Sequence, residues 1–141
     1  MDRNTAEIRV GRLLEVRIDA GYRTVEDVDA LFASIASAVR ALKEETKHVT
    51  VVDWRRCPIM APDCAAYVVQ RMVAVNARTD RSATVAPVDA PTNVLQFTRL
   101  IRDSNNPKRQ LFNDEASALE WLAEVLTPKE LKRAQAFLAR H

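Results

Sequence analysis

The run Val49-Thr50-Val51-Val52-Asp53-Trp54, followed by the loop 55–61 and by Pro62, decides how this chain reads. It is apolar through most of its length instead of alternating with polar residues, as a strand covered on both faces should be. It is therefore expected at the centre of a sheet. Pro62 then suits a first helical position, where its missing N–H is not needed and its φ is already helical. The spacing predicts a helix over 62–78 with Gln70, Arg71, Asn76 and Arg78 as its polar minority. A helix apolar round most of its circumference, with Tyr67, Val68 and Met72 in its middle, is expected to need cover on more than one side.

The same order, strand then amphipathic helix, repeats outward in both directions. Upstream, residues 8–10 and 13–20 form a predicted hairpin around Gly11-Arg12. In the second of these strands Leu14, Val16, Ile18 and Ala20 share one face and Glu15, Arg17 and Asp19 the other, which predicts a strand near the sheet edge with one side in water. Thr24 with Asp27 has the form of a capping box, and apolar residues from Val25 to Leu42 recur at helical spacing, predicting a helix that ends near Thr46. Downstream, a strand over 83–88 is expected to end early or lie at an edge because Pro87 cannot donate to a ladder. A helix over 91–103 follows, with Val94, Leu95, Phe97, Leu100 and Ile101 facing inward. The last unit is a strand over 109–112 and a helix carrying Ala118 to Leu126. Thr127-Pro128-Lys129-Glu130 then caps a separate helix over 128–140, whose stripe of Leu131, Ala134, Gln135 and Leu138 suits its own domain or a second copy.

Helical crossovers between sequential strands give a parallel sheet, and the leading hairpin adds an antiparallel strand. The expectation is one α/β domain over residues 1–141. It has a mixed, mostly parallel sheet of four to five strands with interleaved helices, a core over about 8–126 and an extra C-terminal helix.

Composition narrows the function classes. Apolar residues at 48% and charged residues at 28% describe a folding chain, not a disordered one. Twenty-one Lys and Arg against nineteen Asp and Glu leave a net charge of +2, too little to call for nucleic acid. No apolar run approaches the ~20 residues of a membrane span, and residues 1–9 are too polar for a secretion signal, so a cytoplasmic, non-spanning protein is expected. Cys57 and Cys64 are too few for a disulfide framework or a four-cysteine zinc site, and read as reduced small apolar residues. With only Gly11 and Gly21, neither a dinucleotide fingerprint nor a phosphate-binding loop can be written onto the chain. No cofactor and no metal are expected. His48 and His141 are poorly placed as catalytic bases, and Asp53, Asp63 and Asp89 have no histidine or serine partner nearby in sequence. The chain is expected not to be an enzyme. The one catalytic arrangement left open is a meeting of Asp53 and Asp89 at strand ends.

Residues Leu13 to Gly21 running into Thr24-Val25-Glu26-Asp27, then Val49 to Asp53, then Arg109-Gln110-Leu111-Phe112-Asn113-Asp114-Glu115-Ala116 up to Glu120-Trp121-Leu122, together resemble the STAS domain family in its SpoIIAA-like branch. The family includes bacterial anti-sigma-factor antagonists and the cytoplasmic tails of sulfate transporters. The resemblance spans about residues 8–126. It implies a regulatory module switched by phosphorylation of a serine in the turn that opens the helix after the central strand. Here that turn is Ala61-Pro62-Asp63-Cys64 and holds no serine or threonine. Asp63 either serves the helix dipole or stands in permanently for the phosphorylated state.

Two functions follow. One is a non-enzymatic regulatory protein-interaction module, its partner surface made by Asp53, Trp54, Arg55, Arg56 and Asp63, since Trp and Arg favour interfaces. On that reading, replacing Arg55 and Arg56 with glutamate abolishes partner binding and leaves the thermal midpoint nearly unchanged. The other is a lipid or apolar small-molecule module built on the helix of Tyr67, Val68 and Met72. The competing readings are a core Trp54 with solvated arginines, and tighter burial or homodimerisation of that helix.

Overall fold

The computed structural model describes residues 3–140; His141 lies outside them. β1 (Asn4–Val10) and β2 (Leu13–Ile18) pair antiparallel across the Gly11-Arg12 turn. Gly11 sits at φ +57°, and a Cβ there would overlap the Glu130 carboxylate, so the position needs glycine twice over. α1 (Val25–Arg40) follows its Thr24–Asp27 capping box, and β3 (His48–Asp53) comes next. α2 (Pro62–Ala74), a short 3-10 turn (Asn76–Arg78) and β4 (Thr79–Val85) continue the chain. α3 (Pro91–Asp103), β5 (Arg109–Phe112), α4 (Glu115–Ala123) and α5 (Pro128–Ala139) complete it.

The five strands lie in chain order, with β2 to β5 all parallel, so the mixed, mostly parallel sheet is as expected and β3 is its central strand. All six β3 residues are buried. Because each right-handed crossover steps one strand in the same direction, α1, α2 and α3 all fall on one face. That face carries Leu14, Val16, Val52, Phe97 and the buried residues of α1 and α2. After the last strand the chain can only return across the opposite face. There α4 and α5 pack on Leu13, Val49, Val51, Ala83 and Val85.

β2 lies near the sheet edge as expected, one strand in from the edge strand β1, but that return overturns the reading that one of its sides is in water. Its polar face is not in water but under α5: Glu15 is 2% exposed and accepts two hydrogen bonds from Arg133, at 2.8 and 3.0 Å. Arg17 lies over the Phe137 ring at 4.1 Å from its centroid. α5 thus docks on its own domain through Glu130, Ala134, Phe137 and Leu138, while Gln135 is exposed.

Three helices stop short of their expected ends. After α1 the carbonyls of Lys43 and Thr46 are taken by the Arg78 guanidinium, in place of further helical turns. α2 ends at Ala74, where the Thr79 hydroxyl donates to the Val75 carbonyl at 2.8 Å. α4 ends at Ala123, before Val125 and Leu126. α2 is also less enclosed than expected: only Cys64, Val68 and Met72 are buried, and Val73 faces outward. Its many alanines raised its apolar count without needing cover. Leu95 of α3 likewise points out, while Phe97, Leu100 and Ile101 point in. The strand expected over 83–88 lies instead at Thr79–Val85; it ends before Pro87 and is internal.

Candidate functional site

At the carboxyl ends of the strands the connections diverge, β4 leading to α3 on one face and β5 to α4 on the other. Such a divergence opens a crevice, the usual ligand position in open α/β sheets. Here it measures about 500 Å³ and is bordered by Arg55, Arg56, Val88, Asp89, Asp114 and Glu115.

The residues expected to form a partner surface here divide into an inner and an outer set. Asp53 is buried, and its carboxylate accepts from the Arg55 backbone N–H (3.1 Å), from Arg55 Nε (2.9 Å) and Nη2 (3.1 Å), and from Arg17 Nε (3.1 Å). Burial pushes its pKa up, but the hydrogen bonds and charge of Arg55, with Arg17 behind them, outweigh that and hold it below the ordinary carboxylate value. Arg55 also donates to the Leu138 carbonyl at 2.7 Å and approaches Glu115 at 3.4 Å. It therefore fastens β3 to α4 and α5. Changing Arg55 to glutamate cannot leave the thermal midpoint unchanged, because the new carboxylate would face that of Asp53.

Trp54 belongs to the core, its ring meeting Phe97 edge-on at 4.8 Å. Arg56 is the outward member of the set: its side chain is 54% exposed, with Asp19 at 3.9 Å. Asp63 is also exposed, in the first turn of α2. Asp53 has both oxygens engaged by arginines, so it does not join Asp89 as an acid-base pair. Burial, with Asp19 behind it, pushes the Cys57 thiol up to about 12, and burial followed by Asp63 raises Cys64. Neither supplies a thiolate nucleophile at neutral pH.

The loop 55–61 is held rigid from α3. Gln96 both accepts from the Met60 N–H (2.8 Å) and donates to its carbonyl (2.7 Å), and Asn93 donates to the Cys57 carbonyl at 3.1 Å. The loop exposes Ile59, and the β4–α3 connection, which borders the crevice with Arg55 and Arg56, exposes Val88.

A second site lies inside. Between the sheet and the helices of its α1–α3 face is a cavity of about 50 Å³, bordered by Val16, Phe32, Val68, Met72, Trp54 and Arg109 among others. Val68 and Met72, singled out from the sequence, reach it. Tyr67 does not; its hydroxyl donates to Asp29 between α2 and α1. The sequence reading missed the polar lining, namely His48, Thr50, Thr79, Thr84 and Arg109. Burial, helped by Arg109, Arg78 and Arg12, lowers His48 to about 4, so it is neutral at pH 7 with Nδ1 2.9 Å from the Thr50 hydroxyl. Arg109 is 9% exposed, and burial lowers it to about 10 without discharging it. One signal could have found it. On β5 the two-residue period puts Arg109 on the same face as Leu111, which packs on the core.

Among the described residues no group of three His, Cys, Asp or Glu side chains could hold a metal ion, and no helix is long and apolar enough to cross a membrane. Comparison with protein families, with curated proteins and with solved structures finds no match to this chain.

Proposed function

We propose that this chain is a non-enzymatic regulatory protein-interaction module of the STAS-like kind, recognising its partner through the rim of the carboxyl-end crevice. The observation that carries the reading is a rigid, partly apolar rim. Loop 55–61 is clamped by Gln96 and Asn93, yet it presents Arg56 at the crevice, and Val88, 57% exposed, lines the same crevice. A preorganised surface loses little entropy on docking, and arginine with apolar neighbours is the composition of interface hot spots. The inner set supports this rim without touching a partner: Asp53, Arg55 and Trp54 hold the base of the loop.

The test is a pull-down comparing the native chain with Arg56→Glu and Val88→Asp. Both positions are exposed, so the thermal midpoints should stay close to the native value while a specific partner is lost. Retention of that partner by both variants removes the rim from consideration. Asp63→Ala separates the two roles of that carboxylate. A change in partner affinity supports the phosphate-mimic role, and a stability change of a few tenths of a kcal/mol with unchanged binding supports the helix-dipole role.

The lipid-binding reading draws support only from the cavity. At about 50 Å³ it is a third of the ~150 Å³ engineered cavity that takes up benzene, too small for an acyl chain.

A further inference from the structure

Arg109 is a buried positive charge without a counter-charge. Two other covered arginines pair with buried carboxylates, Arg55 with Asp53 and Arg133 with Glu15. Arg109 has instead the Asn76 side-chain oxygen at 3.0 Å and the Met72 carbonyl at 3.4 Å, both through Nη2. No ion pair joins it to a carboxylate among the described residues, and its Nε is buried with no hydrogen-bond partner. Burying a guanidinium this way is costly, and an aliphatic side chain of similar length would fill the space without that cost. Arg109 borders the interior cavity on one side. On the other it borders an open surface groove formed by Ile101, Asn105, Asn106 and Pro107. Arg109 is thus the residue common to the interior cavity and this surface groove.

The cavity behind it selects the kind of anion. Its walls at Leu14, Val16, Phe32 and Met72 are apolar, and His48, Thr50 and Thr79 are satisfied among themselves and with Val75. One guanidinium balances one negative charge, so a dianion such as phosphate would be left half compensated in a dry site. A carboxylate carries the single charge that one guanidinium balances and can accept from Arg109 Nη1, Nη2 being engaged by Asn76 and Met72, and an attached alkyl group matches the walls. A water-sized probe occupies about 10–15 Å³ on the same measure, so about 50 Å³ takes only a few heavy atoms. We infer that this cavity is a binding site for a small aliphatic monocarboxylate, of about two or three carbons, with its carboxylate on Arg109 and its alkyl end toward Val16 and Phe32. This site is independent of the crevice rim and stands or falls without it.

The test is titration of the full chain with acetate, propionate, butyrate and hexanoate at constant ionic strength, with chloride as the control anion. It is followed by thermal shift and by NMR of carbon-13-labelled propionate. Saturable binding of acetate and propionate, weaker for butyrate and hexanoate, is expected. Arg109→Gln should weaken it at least about tenfold, the worth of one charge-assisted hydrogen bond. Val68→Leu fills the cavity without touching the charge and should weaken it as well. Val68→Leu also keeps the test alive should Arg109→Gln fail to fold. The inference is overturned if chloride gives the same response or if no acid saturates. It is equally overturned if Val68→Leu binds as the native chain does, since the anion then sits only in the outer groove.

Discussion

Replacing Arg133 with leucine tests whether α5 is part of the domain's core or an attachment to it. Glu15 lies in the middle of β2, is 2% exposed, and receives both of its charge-assisted hydrogen bonds from Arg133. Without the arginine a carboxylate remains buried and unpaired, a loss of about 3–5 kcal/mol in comparable buried pairs. The Arg133 side chain is 23% exposed, so water can enter the gap, and the lower end, about 3 kcal/mol, is the expected loss. For a chain of this size that is a fall in thermal midpoint of about 10 °C. Glu15→Leu alone should cost less, because Arg133 can swing its charge outward to water. The double variant with leucine at both positions should return to within about 1 kcal/mol of the native chain or exceed it. Urea denaturation of all four proteins closes the cycle, with unchanged m-values showing that stability alone has moved. A loss below about 0.5 kcal/mol for Arg133→Leu would place the pair at an open surface and refute the docking of α5 over β2.

Gly11→Ala should cost about 2–4 kcal/mol in the same denaturation assay. It puts an alanine at positive φ and displaces the Glu130 carboxylate that accepts from Arg12 and Thr127; a neutral result would detach the start of α5 from the hairpin. Arg55→Ala should lose about 2–3 kcal/mol by leaving Asp53 with Arg17 alone, in contrast to the near-neutral Arg56→Glu. Stability should also fall as pH drops from about 6.5 to about 4, since His48 titrates near 4 in the folded chain and near 6.5 unfolded, so the unfolded state takes up the proton first. The slope from this one group is at most about 1.4 kcal/mol per pH unit, and His48→Gln should remove it, which denaturation at stepped pH values measures directly. Below that window Asp53 and Glu130, both held under their ordinary values, add a further loss as they are protonated.

The candidate site was only partly legible. Arg55 and Arg56 are neighbours in sequence and identical in type, yet one is fastened to Asp53 and Leu138 while the other faces outward. Trp54 was an interface candidate by residue type and proved to be core, because composition cannot say which way the first side chain after a strand turns. Arg109 looked like an ordinary basic residue opening a strand, and its burial depends on α2 and the 3-10 turn after it closing over it.

What the sequence determined by itself is whatever is written within one turn of helix or a few residues of strand. The Thr24–Asp27 and Thr127–Glu130 boxes, the prolines opening α2, α3 and α5, the β-α order and the central place of β3 all belong to this class. These are local energies, set by hydrogen bonds and burial periods that neighbouring residues carry together. The tertiary structure alone decided that the charged face of β2 lies under α5, and that a lone guanidinium ends up beside an apolar cavity. Both depend on partners far along the chain, 118 residues apart for Glu15 and Arg133, and burial of a charge is determined by what the whole fold brings over it.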